Sequence, residues 1–175
     1  MAFCLESSIY KMNVDQIVSE LDMQPHPEGG FFKETFRSTG TIGGTTNGDF
    51  PNGRHYATAI YYLLVSGDKS VFHRIKSDET WHHYYGGTLE IVELHADGKI
   101  HRIRLGKNIL EGELLQYTVP AGVWFGARPI QEDTFVLAGC TVAPGFDFKD
   151  FEMADRQSLL SEFPDMQMVI EEYTK

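Results

Sequence analysis

From Tyr56 to Cys140 the chain is cut into short β-forming segments, each closed by a turn signal, and this spacing limits the fold more than any other feature. Ala57 to Val65 runs into Ser66-Gly67-Asp68. Ser70 to Ile75 and Thr80 to Tyr85 follow, the latter closed by Gly86-Gly87. Leu89 to His95 meets Ala96-Asp97-Gly98-Lys99, whose Asp-Gly pair is the strongest hairpin signal present. Ile100 to Leu105 is the expected return strand, with Ile100, Arg102 and Arg104 on one face and His101, Ile103 and Leu105 on the other. Leu114 to Val119, Val123 to Ala127 and Thr134 to Val142 complete the series. Strands this short at this interval specify a sandwich or barrel, not alternating β and α units. Seventeen glycines in 175 residues agree with a chain of many tight turns.

The flanks read differently. Val14, Ile17, Val18 and Leu21 form one helical face, with Asn13 as cap and Gln16 as its capping-box partner. Pro25-His26-Pro27-Glu28-Gly29-Gly30 excludes a helix and demands a specific turn, and Phe31 to Arg37 reads as a strand. Ser38 to Gly53, with its Asn47-Gly48 and Asn52-Gly53 pairs, is the longest expected loop. After Pro144-Gly145, Asp155 caps a short helix to Phe163, and Asp165 to Tyr173 reads as a further helical turn or two. The expectation is one all-β domain over residues 1–175, with a barrel core at about 28–148 and helical extensions at 13–22 and 155–173.

Charge and composition exclude several functions. Fifteen Lys and Arg stand against 25 Asp and Glu, a net charge of −10, which argues against nucleic acid as a partner. No apolar run is long enough to span a bilayer, and Met1 to Glu6 lacks the basic and apolar regions of a signal peptide. The cysteines, Cys4 and Cys140, are too few and too far apart for a disulfide scaffold. A cytoplasmic protein without a membrane partner is expected.

Among the seven histidines one spacing stands out: Gly67, five residues, His73, one, Ile75, three, Glu79, six, Gly86. On a strand His73 and Ile75 share a face, as do Glu79, Trp81, His83 and Tyr85 in the absence of a bulge. Two antiparallel strands joined at Lys76-Ser77-Asp78 would bring His73 and Glu79 together in a barrel mouth. The spacing resembles the first motif of the cupin superfamily, with Ile75 in place of the second histidine. The second cupin motif is matched at Pro120 and Gly122, while Leu114, Phe125 and Pro129 replace its Gly, His and Asn. Upstream, His26-Pro27-Glu28-Gly29-Gly30-Phe31-Phe32-Lys33-Glu34-Thr35 resembles the Gly-Phe-Phe-x-Glu strand of RmlC-like deoxysugar-nucleotide epimerases. Together with Ser77-Asp78-Glu79-Thr80-Trp81 and Ala121-Gly122-Val123-Trp124-Phe125, the ensemble resembles the little-characterised cupin-5 group of RmlC-like cupins from about Val14 to Phe163.

The resemblance implies a double-stranded β-helix, the jelly-roll cupin barrel, with an N-terminal helix and short C-terminal helices outside it. It also implies a homodimer. The expected site is a pocket for a sugar-like or nucleotide-sugar-like small molecule, lined by His73, Glu79, Trp81, His83, Trp124 and Phe125, with Glu28 at its rim. By analogy with the metal-free epimerases, His73 would remove a proton next to a carbonyl, with Glu79 as its catalytic partner. Tyr61, Tyr85 or Tyr117 would supply an acid, and Arg37, Arg54 or Arg128 would meet phosphates. A second reading is a metal-dependent cupin holding a divalent Zn, Ni, Mn or Fe ion through His73, Glu79 and His83. A third is a non-catalytic binding or scaffold dimer, in which His73 and Glu79 are a buried pair in a vestigial pocket.

Overall fold

The computed structural model describes residues 13–44 and 50–175; Cys4 and the Asn47-Gly48 pair lie outside the described residues. In chain order the elements are α1 (Val14–Glu20), β1 (Gln24–Pro25), β2 (Phe31–Arg37), β3 (Thr41–Ile42), β4 (Arg54–His55), β5 (Thr58–Val65), β6 (Ser70–Arg74) and β7 (Asp78–Gly86). They continue with β8 (Leu89–Leu94), β9 (Ile100–Leu105), β10 (Gln116–Val119), β11 (Trp124–Pro129), β12 (Phe135–Ala143), β13 (Glu152–Met153), α2 (Arg156–Glu162) and α3 (Gln167–Tyr173). Two sheets carry the fold, ordered β1-β2-β5-β12-β7-β10 and β13-β6-β11-β8-β9, while β3, inside the expected long loop, pairs with β4, just after it, as a separate ribbon. Their ladders are antiparallel. Between β5 and β12 the chain repeatedly changes sheet, which makes this a jelly-roll barrel.

The sequence pattern explains where the core lies. Tyr62, Leu64, Trp81, Leu89, Ile91, Leu105, Phe125, Ala127 and Val136 point inward and pack between the sheets. Tyr62 meets Trp81 edge-on at 5.4 Å between ring centroids, and Trp81 meets Phe125 likewise at 6.3 Å. The opposite face of β8 sends Val92 and Leu94 outward against Leu159, Phe163 and Ile170 of the C-terminal helices, and Phe72 stacks on Tyr173 at 5.2 Å. Helix α1 covers the other sheet through Ile17, with Met23 and Leu63. Its capping box forms as expected: the Asn13 side chain accepts from the Asp15 N–H, and the Gln16 side chain accepts from the Asn13 N–H. The Asp97-Gly98 hairpin also forms, as a three-residue loop between His95 and Lys99 with Gly98 in the left-handed region. No helix among the described residues is long and apolar enough to cross a membrane.

Two expectations are corrected. β6 and β7 do not pair with each other: they belong to opposite sheets, so the link at 75–77 is a crossover and His73 faces Glu79 across the interior. β7 also carries a bulge at Tyr84, because Ala138 pairs with His83 but Leu137 pairs with Tyr85. The bulge moves Tyr85 off the face of Glu79, Trp81 and His83 and sets it against Phe135 on the outside.

The stretch after β12 is held by a bidentate ion pair, Arg54 Nε and Nη2 donating to Asp150 at 2.6 and 2.7 Å with both side chains under one-tenth exposed. Removing one partner strands a buried charge, whereas replacing both need not. Asp150→Ala should therefore lower urea-unfolding stability by about 3 kcal/mol, and the double change Arg54→Met with Asp150→Leu should recover most of that loss. A single-variant loss below about 1 kcal/mol would instead place this pair among solvated surface pairs.

Candidate functional site

Assembly of the site begins at the Pro27-Glu28-Gly29-Gly30 turn. Gly29 and Gly30 have φ of +123° and +68°, and a Cβ on Gly29 would lie 2.1 Å from the Lys69 carbonyl oxygen. Only glycine allows the turn to settle this closely on the start of β6. There the Val71 N–H donates to the Glu28 carbonyl at 3.1 Å, and the Tyr62 hydroxyl donates to the Gly29 carbonyl at 2.6 Å.

β6 receives the turn through an irregularity of its own. Phe125 pairs with His73 while Ala127 pairs with Ser70, so three residues on β6 oppose two on β11. The bulge changes the parity of the strand, and Ser70 and His73 both face inward. The Ser70 hydroxyl donates to Glu28 Oε1 at 3.0 Å, and His73 Nε2 lies 3.2 Å from Glu28 Oε2. His73 Nδ1 is 2.8 Å from the Val71 carbonyl oxygen, which can only accept, so Nδ1 carries a hydrogen. A lone pair on Nε2 facing a carboxylate would be repulsive, so one proton is shared between His73 Nε2 and Glu28 Oε2.

The neighbouring groups are held neutral. The Glu28 N–H donates to His26 Nδ1 at 3.4 Å, and burial lowers the pKa of His26 against the pull of the Glu28 charge. Glu79 enters from the opposite sheet. Burial, then the nearby Glu28 charge, pushes its pKa up to about 8, although contact with the Cys140 thiol works the other way. Glu79 is therefore a protonated acid at neutral pH. Cys140 is buried, and burial followed by the Glu79 charge raises its thiol far above the ordinary range, so it stays a protonated, unreactive thiol.

His26, Glu28, His73 and Glu79 line a cavity of about 320 Å³ together with Phe32, Ile60, Ile75, Phe146, Phe148 and Phe151. Arg37 lies at its edge, donating to Glu34 through Nε and Nη2 and to the Phe146 carbonyl through Nη1. Of the residues expected from sequence, His73, Glu79 and Glu28 meet here, with Glu28 buried at the centre and not on the rim. The others lie elsewhere. Trp81 and Phe125 pack in the core behind the cavity, with Phe125 4.1 Å from the His73 ring by centroid. Trp124 faces outward under Arg74, whose guanidinium sits 4.3 Å from its ring. His83 hydrogen-bonds the Gly87 carbonyl at 2.9 Å and lines a separate hollow near Tyr84 and Lys107.

The metal set His73, Glu79 and His83 is thus not gathered at one point. His73 already holds Val71 and Glu28, and Ile75 lines the cavity where a further imidazole would stand, so a metal does not fit this cavity. Among the described residues one cluster of three potential ligand atoms within 4.8 Å exists, formed by Glu93, His95 and His101. It lies beyond Phe125, since Phe125 pairs with His73 on one side and Glu93 on the other, and Glu93 pairs with His101. Sequence reasoning passed over it, although Glu93 and His95 two apart and His101 across the Asp97-Gly98 turn are a legible same-face signal. His26 was legible beside Glu28. Ser70 was not, because strand alternation without the bulge turns it outward.

Comparison with known proteins agrees with this architecture. Residues 15–154 match the Cupin_5 family, described as cupin superfamily (DUF985). The chain is 31% identical over 149 residues to the uncharacterized Saccharomyces cerevisiae protein YML079W, covering 79% of this chain and 73% of that one. The crystal structure of Shewanella oneidensis protein SO0799 is similar with a TM-score of 0.85 and 33% identity, over 94% of this chain and 98% of that one. A hypothetical protein from Leishmania major gives a TM-score of 0.85 and 32% identity, over 93% and 99%. Bacillus subtilis oxalate decarboxylase shares the fold alone, at 14% identity and a TM-score of 0.54 over 87% of this chain and 37% of that one. By its sequence match and its jelly-roll barrel, the chain belongs to the Cupin_5 (DUF985) family of the cupin superfamily.

Proposed function

We propose that the barrel cavity binds a small, uncharged, sugar-like carbonyl compound and moves a proton on it, in the manner of a metal-independent isomerase or epimerase. The supporting observation is the forced hydrogen on His73 Nδ1, which leaves Nε2 and Glu28 to hold a single proton at 3.2 Å. Released to Glu28, that proton frees Nε2 to act as base; returned to Nε2, it makes His73 an acid. Across the cavity the protonated Glu79 is placed to donate to a developing enolate oxygen or to the opposite face of the substrate carbon. A volume of about 320 Å³ suits one sugar-sized ring and not a whole sugar nucleotide. The lining agrees: Glu28, Glu34 and Asp147 are acidic, and the guanidinium of Arg37 is already engaged by Glu34. Phe32, Phe146, Phe148 and Phe151 supply apolar faces for a ring and keep water out.

Incubation with a panel of aldoses, ketoses and their deoxy forms in deuterium oxide tests this reading. The wild type should incorporate deuterium at the carbon next to the carbonyl of at least one compound that also raises the melting temperature. His73→Ala should slow incorporation by roughly 100-fold or more while retaining the fold, and Glu28→Gln should shift the pH profile of exchange. Binding without exchange would replace catalysis by a purely binding role. No thermal shift across the panel would remove the ligand class itself.

The protonated state of Glu79 is measurable separately. Its folded pKa of about 8 lies above the 4.5 of a free glutamate, so the folded state holds an extra proton between those values and stability falls as pH rises through them. The neutral buried His26 acts oppositely, but only below its free value of 6.5. Between about pH 6.5 and 8 the Glu79 contribution lowers stability by up to about 1.4 kcal/mol per pH unit, the slope easing to about half as pH reaches the folded pKa. Urea titrations across this window should show that decline in the wild type and a flattened curve in Glu79→Gln. Equal slopes in the two proteins would show Glu79 ionised when folded.

A further inference from the structure

The inner face of β8 changes character along its length. Leu89 and Ile91 belong to the core, and the next inward residue is Glu93, whose surface is wholly buried. A carboxylate at such a position needs compensation, because a buried charge without a partner is strongly unfavourable. Glu93 receives only part of it. His95 Nε2 lies 2.8 Å from Oε2 and His101 Nδ1 3.8 Å from the same oxygen, while buried Oε1 has no hydrogen-bond partner among the described residues. Tyr117 is near: burial, then the Glu93 charge and the approach of its hydroxyl to that carboxylate, push the hydroxyl up to about 12, yet Oε1 gains no hydrogen bond of good geometry from it.

The backbone fixes this grouping. His95 follows Glu93 by two residues and shares its face, and the three-residue turn at 96–98 returns the chain so that His101 pairs with Glu93. The rings of His95 and His101 stand 4.3 Å apart by centroid, and all three ligand atoms lie within 4.8 Å of one another. Nitrogen and oxygen ligands bound to one zinc ion at about 2.0–2.2 Å are separated from each other by roughly 3.3 Å. The 2.8 and 3.8 Å separations bracket that value, so small side-chain rotations complete the geometry. Exposure grades from Glu93, side chain 1%, through His95 at 26% to His101 at 53%, giving an ion a buried anchor and a path from solvent.

We propose that Glu93, His95 and His101 form a binding site for a divalent cation of the zinc type, at the hairpin end of the barrel and separate from the cavity at His73. The donor set of two imidazoles and one carboxylate suits zinc, cobalt or nickel better than magnesium or calcium. It leaves a coordination position open on the solvent side near His101. The ion replaces the His95 hydrogen bond to Glu93 and supplies the positive charge that this carboxylate lacks. Phe125 divides this site from His73, so neither depends on the other.

Calorimetric titration of tag-free, chelator-stripped protein with zinc tests the proposal, with cobalt(II) and its visible absorption as a second readout. The wild type should bind one equivalent of zinc and develop the intense cobalt bands of a low-coordinate site. His101→Ala, at a half-exposed position that leaves folding intact, should weaken zinc at least about tenfold and abolish the bands. Glu93→Gln should do the same if it folds, and His73→Ala should change neither measurement. No zinc binding by the wild type, or binding that survives His101→Ala and disappears in His73→Ala, would overturn the assignment.

Discussion

A carboxylate buried inside an apolar barrel is the constraint around which the site is arranged. Glu28 is only 5% exposed, and an isolated ionised carboxylate there would be prohibitively costly. Each local irregularity nearby answers that demand. The Gly29-Gly30 turn lets the chain approach β6 closely enough to present Glu28. The β6 bulge turns Ser70 and His73 toward it together, and the Val71 carbonyl fixes the orientation of the imidazole. Burial and then the Glu28 charge in turn raise the pKa of Glu79. The chemistry of the cavity follows from how one buried acid is accommodated.

The strand series was legible because turn residues punctuate it and because inward and outward residues alternate. Phe31 to Arg37 forms the expected strand, and the Asn13 capping box and the Asp155 cap form as read. The convergence of His73 and Glu79 was legible from motif spacing, and Glu28 from the turn before Phe31, though at the rim of the cavity and not at its centre. Two kinds of information were not local. Alternation fails at a bulge, and no residue near Tyr84 or Val71 announces one, so Tyr85 and Ser70 were assigned to the wrong faces or overlooked. Sheet membership was the other: a three-residue link between two β runs reads as a hairpin, yet it crosses between layers when the strands' apolar faces must close one core. Trp81, Trp124 and Phe125 lie close to the motifs in sequence, but burial placed them in the core and under the C-terminal helices.

The replacement of two expected imidazoles by Ile75 and Phe125 shapes the interior in two ways. Ile75 lines the cavity and narrows its donor set to His73, Glu28, Glu79 and His26. Phe125 packs against His73 on one side and pairs with Glu93 on the other, so polar chemistry at the two ends of one row of residues is kept apart by an aromatic wall.

Because β6 and β7 lie in different layers, the gap between His73 and Glu79 is not set by any local backbone geometry. It equals the separation of the two sheets, and that separation is held by the Tyr62, Trp81 and Phe125 wedge. The barrel works as a calliper: the aromatic core sets the opening of its jaws, and the jaws gauge the width of whatever they hold. Drift in core volume, at residues that touch no ligand, is therefore a route by which members of this fold can come to admit molecules of different thickness without altering a single reactive group.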